Sequence, residues 1–425
     1  MTTPAPWSSE LPRSQDWTVR VDGIPIPVIS TARGDFALWT GSTHAVVEAF
    51  ASVAVSEAHL RPRSLGITPA IAGQRIALDL PGPARALLEA PGLPHLHLFA
   101  EPESQAAPAG ARIIRAGTIE RQETLTLGEG DCLWVERGAV LNAHLDLHGA
   151  GIRVGGGGLI SGAGLARRKH IVADGCPGLR IADLLVCDPG GWAVVLGACD
   201  GAEVEDLRVL TPGSGAGTDG LDLVGSSHVR VRRVYIVSGD DAIVIKAFPA
   251  GEARTSDWSR PVSDITAEQC ILGTYGGHSM EIGHELTVSH VEDIVFRDID
   301  VLFAHNFGGP FGIHNGDRAA VRRVLWERVR VDHCYHQILD LRVMRSRYSR
   351  DAERGSIADV RFRDIDWWTT RFNEGYTLGS IGGKDASHRI SRVAFERFRR
   401  DGALVTSADE LDLMFRHADD VTFSG

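Results

Sequence analysis

A spaced repeat constrains this chain more than any other feature. From about residue 112 the pattern apolar-x-apolar-x-x-apolar recurs, each time followed by a Gly-containing corner and a second short strand. The units are LRIADL (179–184), AEVEDL (202–207), VRVRRV (229–234), ITAEQC (265–270), IVFRDI (294–299), VLWERV (324–329), VRFRDI (360–365) and VAFERF (393–398), closing on VTF (421–423). Their middle apolar residues are Ile181, Val204, Val231, Ala267, Phe296, Trp326, Phe362, Phe395 and Phe423, at intervals of 23, 27, 36, 29, 30, 36, 33 and 28. A period of about 20–50 residues with β alternation is the signature of a solenoid. Strand-rich units with Gly corners and almost no helical period predict a parallel β-helix, each coil stacked on the last. Leucine-rich repeats compete, but their Leu-x-x-Leu-x-Leu frame is absent. Segment 131–165 fits earlier coils of the same spiral.

Ahead of the repeat the chain reads differently. WTVRVDG, IPIPVIS, HAVVEAF, SVAVSEA, QRIALDL and LHLFAEP, within 17–105, are short strands split by Gly and Pro, which predicts a small β-sandwich. Prolines thicken at 81, 83, 91, 94, 102 and 108, placing a boundary near 105–112. The 425 residues therefore divide into an N-terminal sandwich, 1–110, and a solenoid, 111–425.

Composition narrows the function. With 44 Lys and Arg against 55 Asp and Glu, the formal charge of −11 argues against a nucleic-acid or anionic-membrane binder. Residues 1–13 show no secretory leader and no stretch reaches transmembrane length, so a cytoplasmic protein is expected. The six cysteines (132, 176, 187, 199, 270, 334) are widely spaced without a CxxC and read as buried small hydrophobes. Only four Asn and three Lys occur, against 41 Arg. GGGGLISG resembles a dinucleotide loop, but no helix with a distal acidic residue follows.

In a stacked solenoid, residues at one phase of successive coils form a column with steps of about 4.8 Å. GTDGLDLVG (217–225), GDDAIVIKA (239–247) and GGHSMEIGH (276–284) align without gaps. Asp219, Asp241 and His278 then share one phase, and Asp240 precedes Asp241. Three carboxylates at about 4–5 Å repel by several kcal/mol at an effective dielectric near 20. A single Asp-Gly would be a turn, but this crowd predicts function. Two chemistries fit it. Clustered carboxylates bind Ca²⁺; crowding also keeps one carboxyl protonated beside an ionised neighbour, which is acid–base catalysis.

These three motifs, with GGGGLISGAG (155–164), resemble glycoside hydrolase family 28, the polygalacturonase family. The resemblance runs from about residue 110 to the C-terminus and implies a right-handed parallel β-helix and glycosidic hydrolysis with inversion. It implies Asp240 as general acid, Asp219 and Asp241 as bases activating water, and His278 as a supporting residue that tunes the acid. It implies no metal or organic cofactor. The dextranase family 49 shares the sandwich-plus-helix layout and the three aspartates but lacks the His, so the chain looks intermediate.

The sequence departs from the family twice. Its Asn-Thr-Asp is Gly217-Thr218-Asp219 here, and its Arg-Ile-Lys, which reads the galacturonate carboxylate, is Gly312-Ile313-His314. A neutral or non-galacturonate sugar is therefore expected. Arg342 and Lys246 are the basic residues placed to substitute. Asp222, Glu281 and His314 are candidate hydroxyl readers, and Trp192 and Tyr275 candidate stacking platforms. Trp258, Trp367, Trp368 and Tyr376 are weaker ones. Loops 248–260 and 345–356 are expected to wall one end of the cleft, favouring exo action on oligosaccharides. A lyase or epimerase would need basic neutralisation of a uronate. A non-catalytic glycan-binding β-helix would not need crowded carboxylates. Three roles fit the sandwich: capping the helix end, guarding its edge strand, or forming a contact between protomers.

Overall fold

In a computed structural model the chain is almost entirely β, with residues 2–41, 43–211, 213, 217–251, 254–370 and 378–425 described. The repeat anchors pair in parallel, each with the next, from Ile181–Val204 through Val231, Ala267, Phe296, Trp326, Phe362 and Phe395 to Phe423. They belong to one 28-stranded sheet that coils as a right-handed parallel β-helix. Spacing varies because corners take up the insertions while strand lengths match.

The column of anchors is the core. Trp326, Phe362, Phe395 and Phe423 stack face to face at centroid separations of 4.8, 4.9 and 4.7 Å. This is the coil spacing expressed in side chains. Burying each of the first three contributes about 1.5–3 kcal/mol; Phe423, on the last coil, is half-buried.

The corners explain the shortage of Asn. They need the left-handed backbone conformation, and Asp or Arg often fills it. Asp293 (φ 58°) lies one coil before Arg323 (φ 55°), and Asp359 (φ 56°) one before Arg392 (φ 56°). Each non-Gly left-handed residue costs about 1 kcal/mol. Ion pairs from coil to coil offset part of it: Arg323 Nε–Asp293 2.7 Å, Arg392–Asp359 2.6 Å, Arg328–Asp298 2.7 Å and Arg397–Asp364 2.6 Å. Such exposed pairs add little, because water screens them.

The N-terminal region forms a five-stranded and a six-stranded sheet face to face. Gly34–Thr40 and Leu96–Glu101 pair in parallel and are buried on both faces. Ala37, Trp39, Leu96 and Leu98 fill the sandwich, whereas Phe36, Leu38 and Phe99 pack against Tyr235, Leu210 and Phe303 of the β-helix. Two-sided burial removes the alternation by which strands are read, so Gly34–Thr40 and Ala84–Glu89 escaped the sequence pattern. SVAVSEA (52–58), expected as a strand, is a loop. Its alternation is not used for a sheet face, since Val53 is exposed while Val55 and Ala58 pack on the core from the loop. Among the described residues no helix is long and apolar enough to cross a membrane.

Candidate active site

Five successive strands make one floor: Leu221–Val224, Ile243–Ala247, Met280–Leu286, Phe311–Asn315 and Leu339–Val343. Leu221, Ile243, Met280, Phe311 and Leu339 are one register level, buried inward. The next level, outward, is Asp222, Val244, Glu281, Gly312 and Asp340. Two residues before the inward level stand Asp219, Asp241 and His278. Gly220 N donates to Asp241 O (2.8 Å) and Ala242 N to His278 O (2.9 Å), which sets the step between them.

The three residues and Asp240 line a cleft of about 660 Å³ together with Trp192, Lys246, Glu281, His284, Glu285, His314, Phe307 and Tyr348. Gly277 lets the carboxylates come together. A Cβ there would lie 2.3 Å from Asp241 Oδ1 and 2.6 Å from Asp240 Oδ1. The Asp240 side chain accepts from Gly217 N (2.9 Å), and Asp241 Oδ1 from His278 N (2.7 Å).

Crowding sets the protons. Burial first, then the Asp219 carboxylate, pushes Asp240 up to about 6. Burial, then Asp240, pushes Asp241 well above the usual carboxylate range. The two adjacent carboxyls titrate as a unit that retains a proton near neutral pH. Asp241, expected as a base, is thus one half of a pair that holds a proton. Asp219 is placed otherwise: Lys246 Nζ donates to its Oδ2 at 2.7 Å and to Asp222 Oδ1 at 2.8 Å. Burial pushes Asp222 well up, whereas Asp219 and Asp222 together hold Lys246 as an ammonium against the effect of its burial. Asp219 Oδ1 is buried without a hydrogen-bond partner.

A second group lies beside the aspartates. Glu281 accepts from His314 Nδ1 (3.0 Å), and His314 Nε2 donates to Asp340 Oδ2 (3.1 Å). Burial alone would push His314 down, yet Glu281 and the hydrogen bonds to Asp340 and Glu281 carry it up to about 10. Glu281 in turn is brought to about 2 by His314 and His278 despite burial. His278, with Nδ1 3.4 Å from Glu281 Oε2, is pushed down, chiefly by burial. His278, Glu281 and His314 offer ligand atoms within 4.8 Å of one another. A cation there would have to displace the proton that Glu281 and Asp340 hold on His314.

The other sequence-derived residues divide. Trp192 lines the cleft and holds Lys246 Nζ 3.8 Å and Lys169 Nζ 4.2 Å from its ring centre. Asp222 lies under Lys246, fully buried, and reaches no open surface. Lys246 is engaged by two carboxylates and Arg342 by Asp340, its Nε 2.5 Å from Oδ1. Tyr275 turns away from the cleft, its hydroxyl 2.7 Å from His95 Nδ1 and its ring under Arg33. It is a contact between sandwich and helix, since its ring is needed in the apolar junction with Phe303. Trp258 is buried, its Nε1 donating to Asp174 Oδ1 (2.9 Å). Trp367 is buried under Arg400, and Trp368 faces Arg63. Tyr376 lies outside the described residues. No described residue of 248–260 lines the cleft, because that segment packs through Trp258 and Phe248 on Val172, Val195 and Val224. Loop 345–356 supplies Arg347 and Tyr348. His284, Glu285, Phe307 and Asp340 were not anticipated, and Tyr348 only as part of its loop. Asp340 was within reach, being the next outward residue after Glu281 and Gly312.

No curated protein matches the sequence. Residues 148–308 match the family model Glycosyl hydrolases family 28. Dex49A from Penicillium minioluteum superposes with a TM-score of 0.60 at 10% identity, covering 95% of this chain and 93% of its own. A family 28 exopolygalacturonase from Yersinia enterocolitica gives 0.51 at 12% identity, covering 90% and 94%. The matched segment contains Asp219, Asp240, Asp241, Lys246, His278 and Glu281. With that match lying on the crowded floor of a right-handed β-helix, the chain is a glycoside hydrolase, similar to family 28 through its candidate active site.

Proposed function

We propose that the protein is an inverting O-glycoside hydrolase acting on a neutral or non-galacturonate glycan, releasing sugar from the end of an oligosaccharide. The observation that carries the reading is the division of labour among adjacent carboxyls. The Asp240–Asp241 pair holds a proton, while Asp219, charge-balanced by Lys246, keeps a buried lone pair without a partner. Asp240, the more open of the two to the cleft, gives its proton to the leaving oxygen as the bond to the anomeric carbon breaks. Asp219 Oδ1 accepts a proton from water attacking the opposite face. The leaving hydroxyl carries the Asp240 proton and the new anomeric hydroxyl keeps the second proton of water; Asp219 then releases the proton it took to solvent, and the Asp240–Asp241 pair takes one back.

The neutral substrate class follows from charge. Lys246, Arg342 and His314 are engaged by carboxylates, and Asp219, Asp240, Asp241, Glu281 and Glu285 line the cleft with Arg347, whose guanidinium meets Tyr348 instead. A uronate would meet mostly carboxylates. Phe307 and Tyr348 line the cleft beside the floor, and end-wise action requires that they close one end of it. Resemblance to an exopolygalacturonase fits end-wise action; resemblance to a dextranase-type fold fits a neutral glucan. The test is a panel of defined oligosaccharides with wild type and Asp240→Asn, following product anomer by NMR. Inverted product that disappears in Asp240→Asn is expected. Retained configuration would refute the mechanism, and high activity on polygalacturonate the substrate class.

A further inference from the structure

The chemistry proposed above uses Asp219, Asp240 and Asp241 and leaves the histidine–carboxylate group beside them unexplained. Three facts about it stand together. First, Glu281 is 1% exposed and His278 7%, yet Glu281 Oε2 and His278 Nε2, both in cleft-lining residues, have no hydrogen-bond partner. Buried polar atoms left without partners in a cleft point to a ligand that completes them. Second, the other side of Glu281 is fixed. His314 sits between it and Asp340, with Gln337 Nε2 3.2 Å from Asp340 Oδ2, so the carboxylate is charge-balanced and oriented before any ligand arrives. Third, the space is reserved. Gly312 has an ordinary strand backbone and needs no glycine conformation, but a Cβ there would stand 1.8 Å from Glu281 Oε2 and 2.7 Å from His278 Cδ2.

We propose that Glu281, seated in the space left by Gly312 and held by the His314–Asp340 pair, is the specificity-determining residue of this subsite: it accepts hydroxyl hydrogen bonds from a neutral sugar and excludes one carrying a carboxylate there. The proposal rests on the glycoside hydrolase reading and deepens it. Carboxylates suit polyols because both oxygens only accept, and a sugar hydroxyl always has a proton to give. Hydrogen bonds to a charged acceptor are the stronger kind. An anionic sugar offers no donor at its carboxylate and faces a fixed charge of its own sign.

Four full-length proteins test this: Asp240→Asn, which binds without turnover, and the same protein carrying Glu281→Gln, Glu281→Ala or Gly312→Ala. Calorimetric titration uses two matched pairs, galactose with galacturonic acid and glucose with glucuronic acid, whose members differ only at the sixth carbon. The expected result is that the neutral member of at least one pair binds more tightly in Asp240→Asn, and that each added substitution lowers that preference by about tenfold or more. Gly312→Ala reaches the same end by displacing the Glu281 carboxylate, so one poorly folded variant does not decide the matter. Thermal melts confirm which variants are folded. Preference for a uronate in Asp240→Asn would overturn the proposal. So would a neutral preference untouched by the folded variants, which leaves the hydrolase reading standing. Binding of neither pair, together with no hydrolysis of any oligosaccharide by wild type, would remove both.

Discussion

Replacing Lys246 with Met keeps the length of the stem and removes the charge. Lys246 is buried and donates to Asp219 at 2.7 Å and Asp222 at 2.8 Å. A pair at 2.7 Å attracts by roughly 332/(20 × 2.7), or about 6 kcal/mol gross at an effective dielectric of 20. The cost of burying the ammonium cancels part of that, and breaking a buried pair from one side costs about 3–5 kcal/mol. Without the ammonium beside them, the buried carboxylates left behind hold a proton more tightly. Two consequences follow. A base that is protonated near neutrality cannot take a proton from water, and raising the pH to free it also strips the Asp240–Asp241 acid, so no pH restores kcat/KM. Stability acquires a sign as well. A carboxyl whose folded pKa is raised loses stability as pH rises. The deficit against wild type should be small near pH 4, grow as pH rises through the new folded pKa, and level at about 3–5 kcal/mol. Urea titrations at several pH values, with kcat/KM on the best oligosaccharide, read both. A deficit that widens on acidification, or a kcat/KM within a few-fold of wild type, would refute the reasoning.

Other expectations are as direct. With Asp240 pushed up to about 6 by burial and Asp219, the Asp240–Asp241 pair passes from two protons to one near there, and kcat/KM should fall above about pH 6 as Asp240 gives up its own; a flat profile from pH 5 to 8 would exclude it. His314, carried up to about 10, contributes stability fully present below about pH 6.5 and lost as pH rises toward 10. That loss should be absent from urea titrations of His314→Gln. Gly277→Ala places a methyl 2.3 Å from Asp241 Oδ1 and 2.4 Å from Asp241 N, so activity should drop by about 100-fold or more and the melting temperature should fall with it. Phe362→Ala removes a fully buried ring between Trp326 and Phe395 and should cost about 3–5 kcal/mol by urea midpoint with a normal pH profile.

The β-helix was legible because its physics is a one-dimensional repeat. Every coil must bury an apolar residue at one phase, so anchors from Ile181 to Phe423 could be paired from spacing alone. Insertions did not hide it, since they fall in corners that carry no register. The sandwich was less legible for the opposite reason. Strands such as Gly34–Thr40 face the sandwich core on one side and the helix on the other, and SVAVSEA alternates without meeting a sheet. Arg richness carried no message until corners were seen in three dimensions. A left-handed Asp on one coil and a left-handed Arg on the next become a bonded pair only when the coils stack.

The site divides along the same line. Asp219, Asp241 and His278 were found because phase is a property of the sequence, and Asp340 was missed because the column was followed for three coils rather than five. Lys246 shows what phase cannot give. Its stem bends back one coil, so a residue offered as a reader of substrate charge is spent on Asp219 and Asp222. Arg342 is likewise taken by Asp340, and His314 by Glu281 and Asp340. Counting cations in a sequence therefore overstates how many can meet a uronate. Geometry also ties two departures into one: with no side chain at 312, the Glu281 carboxylate has its place, and with Glu281 ionised, His314 keeps its proton. A single exchange at either position should thus disturb both charges. Restoring a basic residue at 312 could succeed only if Glu281 were shortened in the same molecule.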